Sequence, residues 1–251
     1  METDTIIQTS NLTKQYNHQL AVDRLSFSVK KGEIFGFLGP NGAGKTTTLL
    51  MLLGLSQPSG GNARVCGLDP IREPRKVKRL VGYLPENVGF YNDMDALQSL
   101  EFISELNGID RDEARERISE SLDIVRFSID DRKKKVETYS RGMRQRLGIA
   151  EVLIKKHEVL FLDEPTLGLD PDGALRVIEL IESLNKEKQI TVLISSHNLY
   201  QVQKISHRVS IMIKGQMVAE GSIETLAQEK FGVGEKKYTL EEIYMKYFQE
   251  V

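Results

Sequence analysis

Residues 39–46 read Gly39-Pro40-Asn41-Gly42-Ala43-Gly44-Lys45-Thr46, and Thr47 follows directly. This stretch fits the pattern G-x-x-x-x-G-K-[ST] at every fixed position. Glycines let the backbone curl until several N–H groups point at phosphate oxygens, and the start of a following helix adds more N–H groups. The stretch therefore predicts a site for a nucleoside triphosphate, in which Lys45 neutralises the β- and γ-phosphates and the Thr46 hydroxyl binds Mg²⁺.

The segments around this loop predict its place in the fold. An apolar run precedes the loop and a leucine-rich run follows it, which indicates a strand before the loop and a helix after it. Similar alternation continues along the chain, with expected strands at 81–84, 159–162 and 191–195 and expected helices at 45–55, 141–155 and 172–186. Helices between strands favour right-handed crossovers and a parallel sheet.

Two regions depart from this alternation. The N-terminal stretch is rich in strand patterns, at 6–12, 20–29 and 34–38, which polar turns separate. Residues 95–127 predict an amphipathic helical insert, because apolar side chains recur at helical spacing among charged ones: Ala114, Ile118, Leu122 and Val125. The sequence therefore predicts an α/β fold with a mostly parallel sheet, an N-terminal antiparallel β portion and an α-helical insert.

The C-terminal part predicts a hairpin and a helix. Two strands, 209–213 and 216–219, would turn at Lys214-Gly215. Residues 239–242 have capping-box spacing, and an apolar stripe follows at helical spacing: Leu240, Ile243, Tyr244, Tyr247 and Phe248. This stripe either packs against the domain or binds a partner, and both interpretations stay open.

The composition excludes several classes of protein. Among 251 residues, 34 are Lys or Arg and 36 are Asp or Glu, and this near-balance argues against a general nucleic-acid binder. The single cysteine, Cys66, excludes an internal disulfide framework and a cysteine-rich zinc site. No apolar run approaches the ~20 residues of a membrane helix, and the N-terminus is acidic and polar. We expect a cytoplasmic chain, which leaves a membrane-bound partner open.

A second strand of the expected sheet ends in two acids. Asp163 and Glu164 follow the apolar run 159–162, and ligands of parallel sheets lie beyond the carboxyl ends of the strands. We expect Asp163 to hold Mg²⁺, directly or through water, and Glu164 to polarise the attacking water as general base. His197 follows the strand 191–195 at the same edge, where we expect it to contact the γ-phosphate or help position water.

Residues 139–146 read Tyr-Ser-Arg-Gly-Met-Arg-Gln-Arg and resemble the signature sequence of ATP-binding-cassette (ABC) ATPases, usually written L-S-G-G-Q. Leu167-Gly168-Leu169-Asp170 resembles the D-loop of that family, and His197 resembles its switch histidine. Tyr16 matches the aromatic residue that stacks on adenine. The resemblance runs in order from about residue 6 to 220. It implies an ABC ATPase domain at 1–222, with a helical subdomain inserted at approximately 87–150 and a helical tail at 223–251.

The sequence departs from the family pattern at two places. Glu86 stands where the family usually has the glutamine of its Q-loop, and as a carboxylate it can still bind Mg²⁺. Arg141 and Met143 replace Gly and Gln in the signature. These variants resemble ABC ATPases that serve separately encoded membrane subunits. Residues 84–88 together with 139–143 are similar to ATPases of nitrous-oxide-reductase maturation and copper-linked transporters.

The resemblance implies an ATP- and Mg²⁺-dependent ATPase that drives an integral membrane permease from the cytoplasmic face, with no nucleic-acid partner. It implies a homodimer, or a pair with a second ABC ATPase, that sandwiches two ATP molecules. Each ATP would contact residues 39–47 of one copy and Ser140, Arg141 and Gly142 of the other, and Asp170 is a further expected ATP contact. The cytoplasmic helices of the permease would dock near residues 87–92, where Phe90 and Tyr91 follow a glycine.

Two other functions remain as alternatives. The first is a soluble ABC-type ATPase that acts on ribosomes or DNA. Such proteins generally carry two cassettes, long coiled coils or zinc cysteines, whereas this chain has one cassette, no long heptad run and one cysteine. The second is a small-molecule P-loop kinase, which would not explain residues 140–142 and 167–170.

Overall fold

The computed structural model describes residues 4–232 and 238–249. The strands are β1 Thr5–Tyr16, β2 Gln19–Leu25, β3 Ser28–Lys30, β4 Ile34–Leu38, β5 Gly60–Val65, β6 Val81–Leu84, β7 Val159–Asp163, β8 Thr191–Ser196, β9 Arg208–Ile213 and β10 Gln216–Gly221. The helices are α1 Lys45–Leu52, α2 Pro74–Leu80, α3 Ala96–Leu106, α4 Arg111–Ile124, α5 Ile129–Arg132, α6 Arg141–Ile154, α7 Pro171–Lys188, α8 Leu199–Ile205, α9 Ile223–Phe231 and α10 Leu240–Gln249. A short 3₁₀ helix, Val136–Thr138, precedes α6.

The larger sheet has six strands in the order β10-β9-β4-β8-β7-β6. Its pairs are parallel from β6 to β9, and β10 closes one edge as the antiparallel arm of a hairpin. All five residues of β4 and of β7 are buried, which explains their continuous apolar character. The register aligns Asp163 with Ser195, so the carboxyl ends of β7 and β8 lie side by side. The expected parallel sheet is confirmed.

The smaller sheet is antiparallel and contains β1, β2, β3 and β5. The prediction of one strand over 20–29 was wrong, because the chain forms two strands that pair with different parts of β1. Leu12–Tyr16 pairs with β2, and Thr5–Gln8 pairs with β3. Ser26 and Phe27 separate the two strands, and Arg24, inside β2, has φ +49°. The sequence pattern also did not predict β5, because this strand begins with Gly60-Gly61 and glycine is not typical of a strand interior.

Residues 95–127, predicted as a helical insert, form helices α3 and α4, and α5 and α6 follow them. Ala114, Ile118, Leu122 and Val125 are all buried, so the expected apolar face of α4 is confirmed. These side chains belong to one cluster with Leu160 of the sheet and Val177 of α7. The insert therefore shares its hydrophobic core with one face of the larger sheet.

The C-terminal helix α10 packs on the domain. Thr239 and Glu242 form the expected capping box, with the Glu242 N–H donating to Thr239 Oγ1 at 3.2 Å. From the apolar stripe, Leu240, Ile243 and Tyr247 are buried beside Val202 of α8, whereas Phe248 is exposed. The Leu240 N–H also donates to Gln203 Oε1 of α8 at 2.8 Å. Packing against the domain is thus the correct interpretation for the buried part of the stripe.

Within residues 4–232 and 238–249, every helix is too short or too polar to cross a bilayer.

Candidate active site

The glycine-rich loop at residues 39–44 connects the buried strand β4 to helix α1, as the sequence predicts. A Cβ atom at Gly39 would lie 2.4 Å from the carbonyl oxygen of Met212. Gly44 has φ +103°, and a Cβ atom there would lie 2.4 Å from the carbonyl oxygen of Ala21. Only glycine fits at these two positions, because the backbone of strands β9 and β2 lies directly against the loop.

Lys45 is the first residue of α1, and its side chain is buried. Its Nζ donates to the carbonyl oxygens of Gly39 at 2.7 Å and Pro40 at 3.3 Å. The ammonium group therefore lies inside the curl of the loop, where it can reach an anion that the loop N–H groups hold.

A cavity of about 420 Å³ opens over this loop. The sequence-predicted residues on its wall are Tyr16, Asn41, Gly42, Ala43, Gly44, Lys45, Thr46, Thr47, Glu86 and Glu164. Sequence reasoning missed Gln19, Leu20 and Ala21, which also line it. These residues could have been found from the hairpin that pairs Tyr16 with Gln19, since both strand ends then face the same space.

Glu164 lies directly after β7, with φ +49° and with its side chain buried. Its Oε1 lies 3.3 Å from Lys45 Nζ, and its Oε2 lies 2.8 Å from His197 Nδ1. The His197 N–H also donates to Oε2 at 3.3 Å. The structure thus brings together three residues that the sequence assigned to one site from three separate segments.

Asp163 lies behind this group and is 1% exposed, so it does not form part of the cavity wall. Ser195 Oγ donates a hydrogen bond to Asp163 Oδ1. Burial raises the pKa of the neighbouring Tyr83 to about 12, and the charges of Asp163 and Glu86 act in the same direction. Tyr83 therefore stays protonated as a hydrogen-bond partner of Asp163.

The oxygen atoms at this edge fit Mg²⁺. Thr46 and Glu86 lie on the cavity wall, and Asp163 lies close behind it. No group of three or more His, Cys, Asp or Glu side chains within the described ranges could hold a metal ion by itself. Mg²⁺ does not need such a group, because it usually keeps several waters and takes one or two protein carboxylates together with substrate phosphates.

Six predicted ATP contacts do not line this cavity: Gly39 and Pro40 at the start of the loop, and Ser140, Arg141, Gly142 and Asp170 in two other segments. Ser140 caps α6 by accepting from the Met143 N–H at 3.2 Å, and Asp170 is exposed at the start of α7. The Arg141 side chain covers Gly168, where a Cβ atom would lie 2.7 Å from Arg141 Nη1. Gly142 lies beside Leu169. The signature-like segment and the D-loop-like segment therefore pack on one another at a second surface.

The expected docking loop at residues 87–92 has two different aromatic residues. Phe90 is half-buried and packs against the core of the insert. Tyr91 is 59% exposed and makes an edge-to-face contact with Phe102, with ring centroids 5.6 Å apart. Only Tyr91 is therefore available as a large surface contact.

Comparison with known proteins places these features in a family. Residues 22–167 match the family described as ABC transporter. The bacitracin transport ATP-binding protein BcrA of Bacillus licheniformis is 44% identical, over 86% of this chain and 69% of that protein. The linearmycin resistance ATP-binding protein LnrL of Bacillus subtilis is 38% identical, over 86% of this chain and 69% of that protein.

A solved structure described as the ATP binding subunit of an ABC transporter superposes with a TM-score of 0.86 at 25% identity. The match covers 97% of this chain and 100% of that chain. The two relatives are named for bacitracin and linearmycin, so the narrower resemblance to copper-linked transporters is not confirmed.

Proposed function

Because this chain belongs to the ABC transporter family and is an ATPase of that family, we propose that two copies pair around two ATP molecules and drive a membrane-embedded permease. The second copy is either identical or another ABC ATPase. The site of action is the cytoplasmic face of the membrane. ATP closes the pair, and hydrolysis releases it, because each state has different contacts to the nucleotide.

The cavity over the glycine-rich loop is the proposed nucleotide site. Loop N–H groups and Lys45 bind the β- and γ-phosphates, and Tyr16 stacks on adenine at the cavity mouth. Thr46, Glu86 and Asp163 are the residues that would hold Mg²⁺. A bound Mg²⁺ would neutralise charge that develops on the phosphates.

Glu164 and His197 are the proposed catalytic residues. Glu164 Oε2 accepts a hydrogen bond from His197, and its carboxylate faces the cavity that holds the phosphates. The carboxylate polarises the attacking water and takes its proton. Lys45, 3.3 Å from Glu164 Oε1, exchanges this carboxylate for phosphate oxygens when ATP binds.

The position of the signature-like segment supports a site shared between two chains. Ser140, Arg141 and Gly142 lie off the cavity wall, at the exposed start of α6. A helix start attracts phosphate through its unpaired N–H groups and its dipole. We therefore assign these residues, together with Asp170, to the ATP that the partner copy binds.

The separation between the cavity and this segment carries the proposal, and mixing two inactive variants tests it. Lys45→Ala damages the cavity, and Gly142→Asp places a negative charge at the signature-like segment. A Cβ atom at Gly142 lies 3.6 Å from its nearest neighbour, so the second variant has room to fold. In a pair of one chain of each kind, one site has both parts intact.

An equimolar mixture should therefore recover roughly a quarter of wild-type ATPase activity, because half of randomly formed pairs are mixed and each holds one intact site of two. Each variant alone should be nearly inactive. If the mixture shows only the average of the two single variants, the site lies within one chain and the proposed pairing is wrong. Adding membrane subunits in vesicles then tests the coupling to a permease.

A further inference from the structure

Ser195 occupies a buried position beside Asp163, the last residue of β7, and Glu164, the residue after it. Ser195 is 0% exposed, and the register of the sheet places it directly opposite Asp163. Ser195 Oγ donates to Asp163 Oδ1 and accepts from the Glu164 N–H at 3.2 Å. One hydroxyl group on β8 thus contacts both consecutive acids of the neighbouring strand.

The chemistry of the hydroxyl fixes its orientation. A serine hydroxyl has one proton to donate and lone pairs with which to accept. The Glu164 N–H is a donor only, so it occupies a lone pair of Ser195 Oγ. The hydroxyl proton therefore points at the Asp163 carboxylate, which is the acceptor on the other side.

The same contact supports the bend at Glu164. This residue has φ +49°, a region that residues other than glycine adopt at a cost. The bend turns the Glu164 side chain back toward Lys45 and His197. The Glu164 N–H is held by both the carbonyl oxygen and the hydroxyl of Ser195, at 3.1 and 3.2 Å.

We propose that Ser195 is a positioning residue for ATP hydrolysis, which aims the Asp163 carboxylate at the Mg²⁺ site and holds Glu164 in its bent conformation. The inference rests on the roles proposed above for Asp163 and Glu164. Ser195 itself touches neither nucleotide nor water in this role. It acts on the arrangement of the acids rather than on the affinity of the loop for phosphate.

The test compares three variants of the full chain. Ser195→Ala removes the hydroxyl, and Ser195→Thr keeps it. Ser210→Ala is the matched control, because Ser210 is also 0% exposed in the same sheet and its hydroxyl has no hydrogen-bond partner among the described residues. Three quantities are measured: ATPase turnover against Mg²⁺ concentration, ATP binding in EDTA, and the effect of Mg²⁺ on that binding.

We expect Ser195→Ala to lower kcat about tenfold to hundredfold, the range for losing a hydrogen bond to a charged group. Half-maximal turnover should need a higher Mg²⁺ concentration, and so should the effect of Mg²⁺ on ATP binding. The affinity for ATP in EDTA should stay within about twofold of the wild type, since the loop is intact. Ser195→Thr should restore most of the turnover, and Ser210→Ala should behave as the wild type.

Two results would overturn the proposal. One is a folded Ser195→Ala chain with wild-type turnover and Mg²⁺ dependence. The other is a loss of turnover in Ser195→Thr as large as the loss in Ser195→Ala. If Ser195→Ala does not fold, Ser195→Cys replaces it, because a thiol fills the position of the hydroxyl with a somewhat larger atom that is only a weak donor and acceptor. Wild-type behaviour of Ser195→Cys would equally refute the role. An inactive wild type would instead refute the proposed function.

Discussion

Replacing Glu164 with glutamine separates nucleotide binding from water activation. Glutamine has nearly the same shape as glutamate, so the buried position beside Lys45 and His197 stays filled. The amide still accepts a hydrogen bond, but it cannot take a proton from water. Lys45 keeps its contacts with the carbonyl oxygens of Gly39 and Pro40, so the loop retains its cation for phosphate.

The expected loss of turnover in Glu164→Gln is ~10²-fold or more, the usual range for a general base. A loss of 10²-fold corresponds to about 2.7 kcal/mol of activation free energy. ATP affinity should be kept or increased, because the phosphates no longer compete with a carboxylate 3.3 Å from Lys45 Nζ. The variant should also accumulate as an ATP-bound pair, since a pair that cannot hydrolyse ATP cannot open by hydrolysis.

Phosphate release under saturating ATP measures turnover, binding of a fluorescent ATP analogue measures affinity, and sedimentation measures pairing. The matched control is Glu158→Gln, which makes the same change at an exposed position just before the opposite end of β7. This control should hydrolyse ATP as the wild type does. Near-normal turnover in Glu164→Gln would remove Glu164 from the role of general base.

Three further predictions concern the loop, the insert and a buried histidine. Lys45→Ala should weaken ATP binding at least tenfold or abolish hydrolysis, because phosphate charge stays uncompensated; unchanged titration and turnover would place the nucleotide elsewhere. Tyr91→Ala should keep basal ATPase activity and uncouple it from transport in reconstituted vesicles. The control Ile129→Ala, which changes another exposed apolar residue, should keep both ATPase activity and transport. Normal transport by Tyr91→Ala would exclude this docking site. Burial lowers the pKa of His157 to about 4. As pH falls below about 6.5, this histidine therefore binds a proton in the unfolded chain before it does so in the folded chain. The free energy of unfolding should drop by about 2 kcal/mol between pH 7.5 and 5. His157→Gln should reduce that drop in denaturant titrations and exposed His18→Gln should not; equal drops would contradict the burial argument.

The sequence predicts that Lys45, Glu164 and His197 lie together because a topological rule connects the three segments that carry them. Lys45 follows one apolar strand, Glu164 a second and His197 a third, and parallel strands end at one edge of a sheet. The contacts Lys45–Glu164 and Glu164–His197 are the spatial result of that rule. The rule needs no knowledge of side-chain orientation, which explains why it worked without the structure.

The parts that the sequence did not predict depend on which strands are neighbours and in what register. Ser195 looks like any residue of an apolar strand until Asp163 is seen opposite it. Tyr83 likewise acquires its role only through its position beside Asp163. The break at Ser26 and Phe27 was missed because two short strands that pair with different parts of β1 have the same alternation as one long strand.

The packing of α10 on α8 gives the end of the chain a connection to catalysis. Helix α8 begins two residues after His197, its Gln201 accepts a hydrogen bond from Thr166, and its Gln203 accepts the Leu240 N–H of α10. The phosphate loop has no room for a side chain at Gly39 or Gly44. Helix α10 contacts α8 rather than this loop, so a substitution in α10 can shift the helix that follows His197 without touching the loop. A change at the C-terminal helix can thus alter the rate of hydrolysis while phosphate binding by the loop stays intact.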